Sequence, residues 1–367
     1  MTTSARQAFV AGSGRFLPQR SVDNFELYEM DSIRRAFDVD MARNSLRGID
    51  TEEAERLTSA EVFDRWSVQV TGIRERRIMD PVVDESAERM CADASLAALA
   101  DAGMEASELD LIVVASLTER EIVPNAACTV GDMLGIPTAP GFVLNAACSG
   151  FVYALAAGYA FVKSESAHNV LVVSGDYLTG ITDYSDPKTA VLFGDGAGAV
   201  VLTSEWGRGS RGRVLAPPYT TADYSPKHLN LTGQAVMQPG DVIPKLSMGG
   251  GPNVLRNAIK SMIGVAERAL ERAGLDWADV DFVVPHQANK RITVGIEKVL
   301  GLPKGRVIDV IETHGNASAS TVPIALDEVL KGMHGPLPQK AIIVLTAVGG
   351  GYTSGGAVIE WSGGATA

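Results

Sequence analysis

Ala102-Gly103-Met104-Glu105 leads through Glu108-Leu109-Asp110 into the apolar run Leu111-Ile112-Val113, and Ala273-Gly274-Leu275-Asp276 leads through Asp279-Val280-Asp281 into Phe282-Val283-Val284. The two stretches lie 171 residues apart, and the same offset carries Val170–Ser174 onto Ala341–Leu345. Gly198-Ala199-Val200-Val201 is matched by Gly356-Ala357-Val358-Ile359 at a slightly shorter offset. Three matches in one order at similar spacing indicate two copies of one α/β unit. The boundary falls near Glu205 to Val214, giving an N-terminal half of residues 1–205 and a C-terminal half of residues 206–367.

Short apolar runs rich in β-branched residues read as strands: Leu111–Ser116, Gly141–Asn145, Val170–Ser174, Gly198–Thr203, Asp281–Pro285, Ala341–Ala347 and Gly356–Trp361. Because they are apolar throughout, the sheets they form should be covered on both faces. Between them lie helical patterns. One runs from about Asn253 to Ala273, with Val254, Leu255, Ala258, Ile259, Met262, Ile263, Ala266 and Leu270 on one face. Strands alternating with helices predict an α/β protein. Asp31 to Leu57 is charged and helical in pattern, without evident chemistry. Pro217 to Pro244, rich in Pro, Tyr, Asn and Gly, predicts a long surface excursion.

Composition narrows the function classes. Of 367 residues, 46% are hydrophobic and 21% charged, a globular mix that excludes a disordered, collagen-like or coiled-coil chain. The net charge of -12 gives no overall basic footprint, so nucleic acid is not an expected partner, although a local basic patch remains compatible with it. No apolar run reaches the roughly 18 residues of a membrane span. Met1–Gln7 is polar and lacks a signal-peptide apolar region, so a cytoplasmic, soluble protein is expected. Cys91, Cys128 and Cys148 include no CxxC pair, and none of the five histidines has metal-ligand spacing to another, so no metal site and no disulfide framework are expected.

Cys148 follows an apolar strand in Asn145-Ala146-Ala147-Cys148-Ser149-Gly150, and Ser149 to Val162 is apolar nearly all round, as in a buried helix. A cysteine where such a helix starts sits at the positive end of its dipole, which favours thiolate and hence nucleophilicity. Taken alone, it is equally readable as an inert buried cysteine. Cys91 and Cys128 lie in helix-like apolar patterns and read as packing residues. His286 ends a strand in Pro285-His286-Gln287-Ala288-Asn289, where α/β sites form. Asn316 lies in His314-Gly315-Asn316-Ala317-Ser318, which by itself reads as a turn. Gly349-Gly350-Gly351 follows a strand and could bring backbone N–H groups close to a ligand, or could be a plain loop. Gly12-Ser13-Gly14 fails the dinucleotide fingerprint because position 17 is leucine, and no P-loop lysine motif occurs.

Together these segments resemble the β-ketoacyl-acyl-carrier-protein synthase III family of the thiolase superfamily. Cys148 in Asn-Ala-Ala-Cys-Ser-Gly-Phe, His286 in Pro-His-Gln-Ala-Asn and Asn316 in His-Gly-Asn-Ala-Ser match that family's Cys–His–Asn triad. Thr71-Gly72-Ile73-Arg74-Glu75-Arg76, Phe193-Gly194-Asp195-Gly196-Ala197-Gly198 and the triple glycine match as well, and the likeness runs from about Gly12 to Trp361. The resemblance implies a thiolase-like five-layer αβαβα fold with two duplicated halves, a homodimer and no cofactor. It implies acyl transfer from a thioester to Cys148, then decarboxylative condensation with a malonyl thioester held by His286 and Asn316. The N–H groups of Cys148 and Gly350 are then the expected oxyanion donors.

Departures from the family bear on substrate. Trp66 aligns with a tryptophan that stacks on coenzyme A adenine, but two arginines of that clamp align with Val70 and Pro187. Val123, Leu255 and Val348 stand where the family often has phenylalanine, which implies a wider acyl channel and a medium or long primer. Arg291, Lys298 and Arg256 align with or flank carrier-docking positions. The implied partners are acyl-coenzyme A or acyl-carrier-protein thioesters, a malonyl thioester, acyl carrier protein and a second copy of the chain. An acyltransferase or chain-joining ketosynthase of secondary metabolism is the alternative. A non-catalytic carrier-binding homologue is disfavoured by the complete triad.

Overall fold

The apolar runs of both repeats come together in one system of ten strands in the computed structural model, which describes residues 6–80, 82, 86–136, 138–207, 211–223, 229–230, 246–248 and 252–362. The N-terminal half contains β1 (Phe9–Phe16), β2 (Ser21–Asp23), the helices α1 (Asn24–Tyr28), α2 (Asp31–Ala36), α3 (Val39–Ser45), α4 (Thr51–Arg56) and α5 (Ser59–Thr71), then β3 (Glu75–Arg77), α6 (Ala87–Ala102), β4 (Leu111–Ala115), α7 (Ala126–Met133), β5 (Gly141–Leu144), α8 (Gly150–Lys163), β6 (Asn169–Asp176), α9 (Pro187–Ala190) and β7 (Gly196–Thr203). Beyond it come β8 (Gly212–Val214), β9 (Tyr219–Ala222), β10 (Leu229–Asn230), β11 (Ser247–Met248), α10 (Pro252–Ala273), β12 (Phe282–Pro285), α11 (Lys290–Leu300), α12 (Ile311–His314), α13 (Thr321–Leu330), β13 (Ala341–Gly349) and β14 (Thr353–Trp361).

One pairing pattern occurs twice. β5, β4 and β6 are parallel neighbours, followed by β7 and then β1, both antiparallel. Val307 lies parallel beside Val283 of β12, β12 is parallel to β13, and β14 follows antiparallel with β8 and β9 at its far side. β8 also pairs with β1, which joins the two sheets along one edge. The sequence offset is thus a repeat of strand order.

Alternation along the strands builds the layers. Val113, Val172 and Val200 from one sheet and Val284, Ile343 and Ile359 from the other enclose a shared layer made of α8 and α13, through Phe151, Leu155, Val322 and Leu326. The intervening residues Ile112, Val114, Leu171 and Val201 face α6 and α7. On the far side, Val283, Val344 and Val358 face α10 and α11 through Met262, Leu270, Ile292 and Ile296. The order is helix, sheet, helix, sheet, helix: the five-layer thiolase-like arrangement. The central strands β4, β6, β7, β12, β13 and β14 are covered on both faces, which is why alternation of polar and apolar residues is missing from their sequence.

Two expectations change in detail. Tyr219–Ala222, inside the predicted excursion, is a strand paired with β14; its β-branched Thr220 and Thr221 suit that edge. Residues 224–228 and 231–245 of that stretch lie outside the described residues. Cys91 is a buried packing residue as expected, but Cys128 is exposed on α7, because the apolar face of that short helix is carried by Ala126, Ala127 and Val130.

The Gly12-Ser13-Gly14 pattern has a packing role. A Cβ on Gly12 would lie 2.4 Å from the Ala98 carbonyl oxygen, and one on Gly14 would lie 2.4 Å from that of Ala94. The two glycines let α6 lie flush on β1. Overpacking a site of this kind costs about 1–3 kcal/mol. Gly12→Ala should therefore lower the urea midpoint of unfolding, whereas Gly103→Ala, at a helix end with open space around it, should cost only the strain of its positive φ. Equal midpoints for Gly12→Ala and wild type would refute the close-packing account.

Candidate active site

Two turns meet between the sheets. Ala147–Ser149 and Ser318–Ser320 are single 3-10 turns, each leading straight into a helix of the shared layer, α8 and α13 respectively. Their first residues both have positive φ, 47° at Ala147 and 51° at Ser318, a conformation uncommon for residues other than glycine. Each is stabilised in the same way: Ala147 N donates to Asn145 Oδ1 at 3.0 Å, and Ser318 N donates to Asn316 Oδ1 at 2.9 Å. The turns are copies. Asn145-Ala146-Ala147-Cys148-Ser149 and Asn316-Ala317-Ser318-Ala319-Ser320 lie 171 residues apart, a match that was readable in the sequence and was missed.

Ser318 ties Cys148, His286 and Asn316 together. Its hydroxyl donates toward Cys148 Sγ at 3.8 Å. Its N–H holds Asn316 Oδ1, which leaves the Asn316 Nδ2 amide as the donor free to face a ligand. Its carbonyl accepts from Thr321 Oγ1 at 2.9 Å, and the same Oγ1 lies 2.7 Å from His286 Nδ1. Cys148 from the first repeat and His286 and Asn316 from the second are therefore linked through one residue.

Burial dominates the electrostatics. Desolvation of the sulfur pushes the Cys148 thiol up to about 11, against the lowering effect of the Ser318 hydroxyl, although the residue as a whole is half-buried. Burial thus opposes the dipole effect expected from the helix start. Cys148 precedes Gly150, the first residue of α8, by two positions, and the dipole acts mainly within a helix's own first turn. His286 is 1% exposed, and burial lowers it to about 4, so its imidazole is neutral at physiological pH. Asp176, at the end of β6, is fully buried near the same sulfur and is raised to about 6, again chiefly by burial.

The surrounding motifs brace this arrangement. Asn316 N donates to Leu192 O at 3.0 Å, and Gly194 N to Asn316 O at 3.1 Å. A Cβ on Gly194 would lie 2.3 Å from the His314 carbonyl oxygen, so only glycine lets the Asn316 loop approach. Asp195 Oδ2 accepts from Met79 N at 2.7 Å and from Thr179 Oγ1 at 2.5 Å. Arg74 and Lys290 share Glu312, at 2.7 and 2.6 Å. Buried Arg76 donates to Asn24 Oδ1 at 2.7 Å. In the triple glycine, a Cβ on Gly349 would lie 2.9 Å from Cys148 N and 2.6 Å from Ala146 O. The loop carrying Gly350 is thereby pressed against the cysteine turn.

The other expected residues are dispersed. Trp66 packs in an aromatic cluster with Phe37 at 5.1 Å and Phe63 at 6.1 Å between ring centroids. Phe37 comes from the charged Asp31–Leu57 stretch, which folds as α2 to α4 and so rests on Trp66. Leu255 and Val348 share one apolar cluster with Ala288 and Tyr352, beside the loops bearing His286 and the glycines. Val123 is 85% exposed beside Ile122, so within one chain it lines no cavity. Arg256 on α10 and Arg291 and Lys298 on α11 are exposed, and Arg291 donates to Gln69 O at 2.8 Å. Among the described residues no His, Cys, Asp and Glu cluster could hold a metal ion, and no helix is long and apolar enough to cross a membrane.

Comparison with known proteins agrees with this geometry. Residues 142–216 match the family described as 3-oxoacyl-[acyl-carrier-protein] synthase III, and residues 270–361 match its C-terminal part. The chain is 35% identical to the β-ketoacyl-[acyl-carrier-protein] synthase III of Chlorobium luteolum, over 96% of this chain and 99% of that protein. The chain belongs to the β-ketoacyl-acyl-carrier-protein synthase III family. As a member it is an acyltransferase with a thiolase-like fold. The crystal structure of the Aquifex aeolicus synthase III superposes with a TM-score of 0.79 at 34% identity, covering 96% of this chain and 100% of that one. The priming β-ketosynthase of the R1128 polyketide pathway gives 0.80 at 31% identity, covering 98% of each chain.

A buried thiol raised this far has a testable reactivity. The rate of Cys148 alkylation by iodoacetamide, read by peptide mapping to separate it from exposed Cys128, should keep rising with pH beyond 9. A plateau below pH 8 would mean that the sulfur is a resting thiolate after all.

Proposed function

We propose that this synthase III family member forms carbon–carbon bonds by decarboxylative condensation, with Cys148, His286 and Asn316 as its catalytic triad. The observation that carries this reading is the convergence of all three on Ser318. Cys148 attacks an acyl thioester, and the backbone N–H groups of Cys148 and Gly350 hold the tetrahedral oxyanion. A malonyl thioester follows, its carbonyl oxygen held by His286 Nε2–H and Asn316 Nδ2–H. Carbon dioxide leaves, the enolate is stabilised by these two donors, and its carbon attacks the acyl-cysteine.

The imidazole suits that role. A neutral ring can donate from only one nitrogen. The role requires the proton on Nε2, with Nδ1 placed beside the Thr321 hydroxyl oxygen. Loss of a single donor to a developing oxyanion typically costs about 3–4 kcal/mol. His286→Ala and Asn316→Ala should still take up an acyl group on Cys148 but lose release of carbon dioxide from a malonyl thioester. Intact-mass analysis combined with carbon dioxide assay checks both halves, and condensation at the wild-type rate by either variant would break the assignment. Because His286 stays neutral down to about pH 4, the decarboxylation step should be nearly flat from pH 6 to 8. The neutral ring stabilises the fold fully above the ordinary histidine value near 6.5, and that contribution is lost as pH falls towards 4.

The primer is a medium or long acyl chain. Val123, Leu255 and Val348 are smaller than the phenylalanines usual at those positions. Trp66 already has Phe37 against it, which supports a carrier-bound rather than coenzyme A-bound form for at least one substrate. A second copy of the chain would cover the exposed Ile122–Val123 pair and bring Val123 to its partner's acyl channel. The exposed Arg256, Arg291 and Lys298 form the proposed docking face for an acidic acyl carrier protein, where charge raises the encounter rate more than the affinity. Each buried methylene contributes about 0.8 kcal/mol, so acylation efficiency should climb with chain length in wild type and stop climbing earlier in Val123→Phe. A wild type that strongly prefers acetyl to octanoyl donors would overturn the long-chain reading.

The similarity to a polyketide priming ketosynthase supports a second reading, acyl transfer or chain joining in secondary metabolism by the same cysteine. Absence of carbon dioxide release during turnover would favour it.

A further inference from the structure

The mechanism above leaves one buried carboxylate beside the nucleophile without a task. Asp176 is 0% exposed. Its Oδ1 is saturated by Leu117 N at 2.9 Å, Ser116 Oγ at 3.0 Å and Thr118 Oγ1 at 3.1 Å. Its Oδ2 is fully buried and accepts no hydrogen bond. A buried carboxylate oxygen without a donor is costly to maintain in a fold. The Ser318 side chain is close enough to Asp176 to favour the ionised carboxylate. That hydroxyl has one proton, and here it is directed at Cys148 Sγ. The serine therefore stands between an acid, the cysteine thiol, and an unoccupied acceptor, the second oxygen of Asp176.

We propose that Asp176, acting through the Ser318 hydroxyl, receives the Cys148 proton during acyl transfer. The proposal rests on the reading of Cys148 as the acylated residue. As the Cys148 sulfur–carbon bond forms, the thiol proton passes to Ser318 Oγ, and the proton already on Ser318 passes to Asp176 Oδ2. As the donor's carbon–sulfur bond breaks, the same two shifts run in reverse and protonate the departing sulfur. Asp176 ends ionised, and no other reactant is needed. The need for such a route follows from burial, because a thiol raised to about 11 has almost no free thiolate at neutral pH. His286 is poorly suited to the task, since its Nδ1 is held by Thr321 and the neutral ring resists a second proton.

The sign of a charge effect separates this relay from a passive role. As a bystander, the Asp176 carboxylate holds the thiol pKa up, so neutralising it should make Cys148 more reactive. As a proton acceptor, neutralising it should make acyl transfer slower. The titratable groups around Asp176 are Cys91 of α6, itself under the influence of Glu88, and Cys148. Asp176→Asn keeps an oxygen for the three donors at Oδ1 and removes the acceptor at Oδ2.

The test is single-turnover acylation by the octanoyl thioester of N-acetylcysteamine, followed by intact mass and peptide mapping, with the pH dependence of iodoacetamide alkylation measured in parallel. General acid–base catalysis contributes about 10²–10⁴-fold. Asp176→Asn should therefore acylate at least about 10²-fold more slowly, while its alkylation midpoint moves to lower pH. A defect of structure alone would not move these readouts in opposite directions. Ser318→Ala should show the same slow acylation, and the double variant should be no slower than either single one. The alanine is tolerable there, since Ala147 holds the same positive φ in the twin turn. If Asp176→Asn fails to fold, Ser318→Ala decides alone. Acylation at the wild-type rate by a folded Asp176→Asn or by Ser318→Ala overturns the relay while leaving Cys148 as the nucleophile. Absence of any Cys148 adduct in wild type overturns the nucleophile and the relay together.

Discussion

The site depends on two strained turns pressed together where the two sheets enclose a shared helical layer. Ala147 and Ser318 hold left-handed backbone that only their surroundings justify. Each is fixed by an asparagine side chain from two residues upstream, and each feeds a helix that is walled in by both sheets. The shared layer leaves no freedom for either turn to relax. Gly349 completes the enclosure, because any side chain there would collide with the cysteine turn. The placement of the sulfur, the imidazole and the amide follows from this packing.

The same packing sets the chemistry. Removing water raises the thiol, lowers the imidazole and raises Asp176, all in the direction that disfavours charge. At neutral pH the thiol and the imidazole are thus uncharged, while Asp176 keeps its charge. Hydrogen-bond donors directed into such a region are worth far more than the same donors in water, and they need no reorganisation when negative charge develops. A neutral histidine is suited to donate to an enolate oxygen, whereas an ionised one would have been paid for by its own desolvation.

The duplicated architecture divides the labour. The first repeat supplies the proposed nucleophile, and the second keeps the same turn with Ala319 in place of the cysteine and the proposed donors beside it. Asn145 and Asn316 hold the same hydrogen bond in the two copies, but Asn316 is buried and Asn145 is exposed. Around this core the N-terminal helices build a separate aromatic cluster. Asp38 and Asp50 cap α3 and α4 through their side chains, and Phe37 lies edge-on to Phe63 and tilted on Trp66. An apparently featureless charged stretch thus reshapes the surroundings of Trp66.

Much was determined by the sequence alone. β-Branched runs without polar alternation meant strands covered on both faces, the 171-residue offset meant a repeated unit, and the flanks of Cys148, His286 and Asn316 singled out those residues. These are local properties, carried by neighbours along the chain. The ionisation of the site was not local. Position at a helix start favours a thiolate at Cys148, and the tertiary structure adds desolvation, which favours the thiol. Ser318, Thr321 and Asp176 gave no signal of their own, since serine, threonine and aspartate are ordinary in turns and at strand ends. Only the folding of residue 318 against residues 148 and 176 makes them part of one network. The aromatic contact on Trp66 was hidden likewise, because nothing in the spacing of Phe37 says which distant ring it will meet. What the chain encodes nearby can be read in one dimension; what burial and long-range contact decide exists only once the two halves have closed on each other.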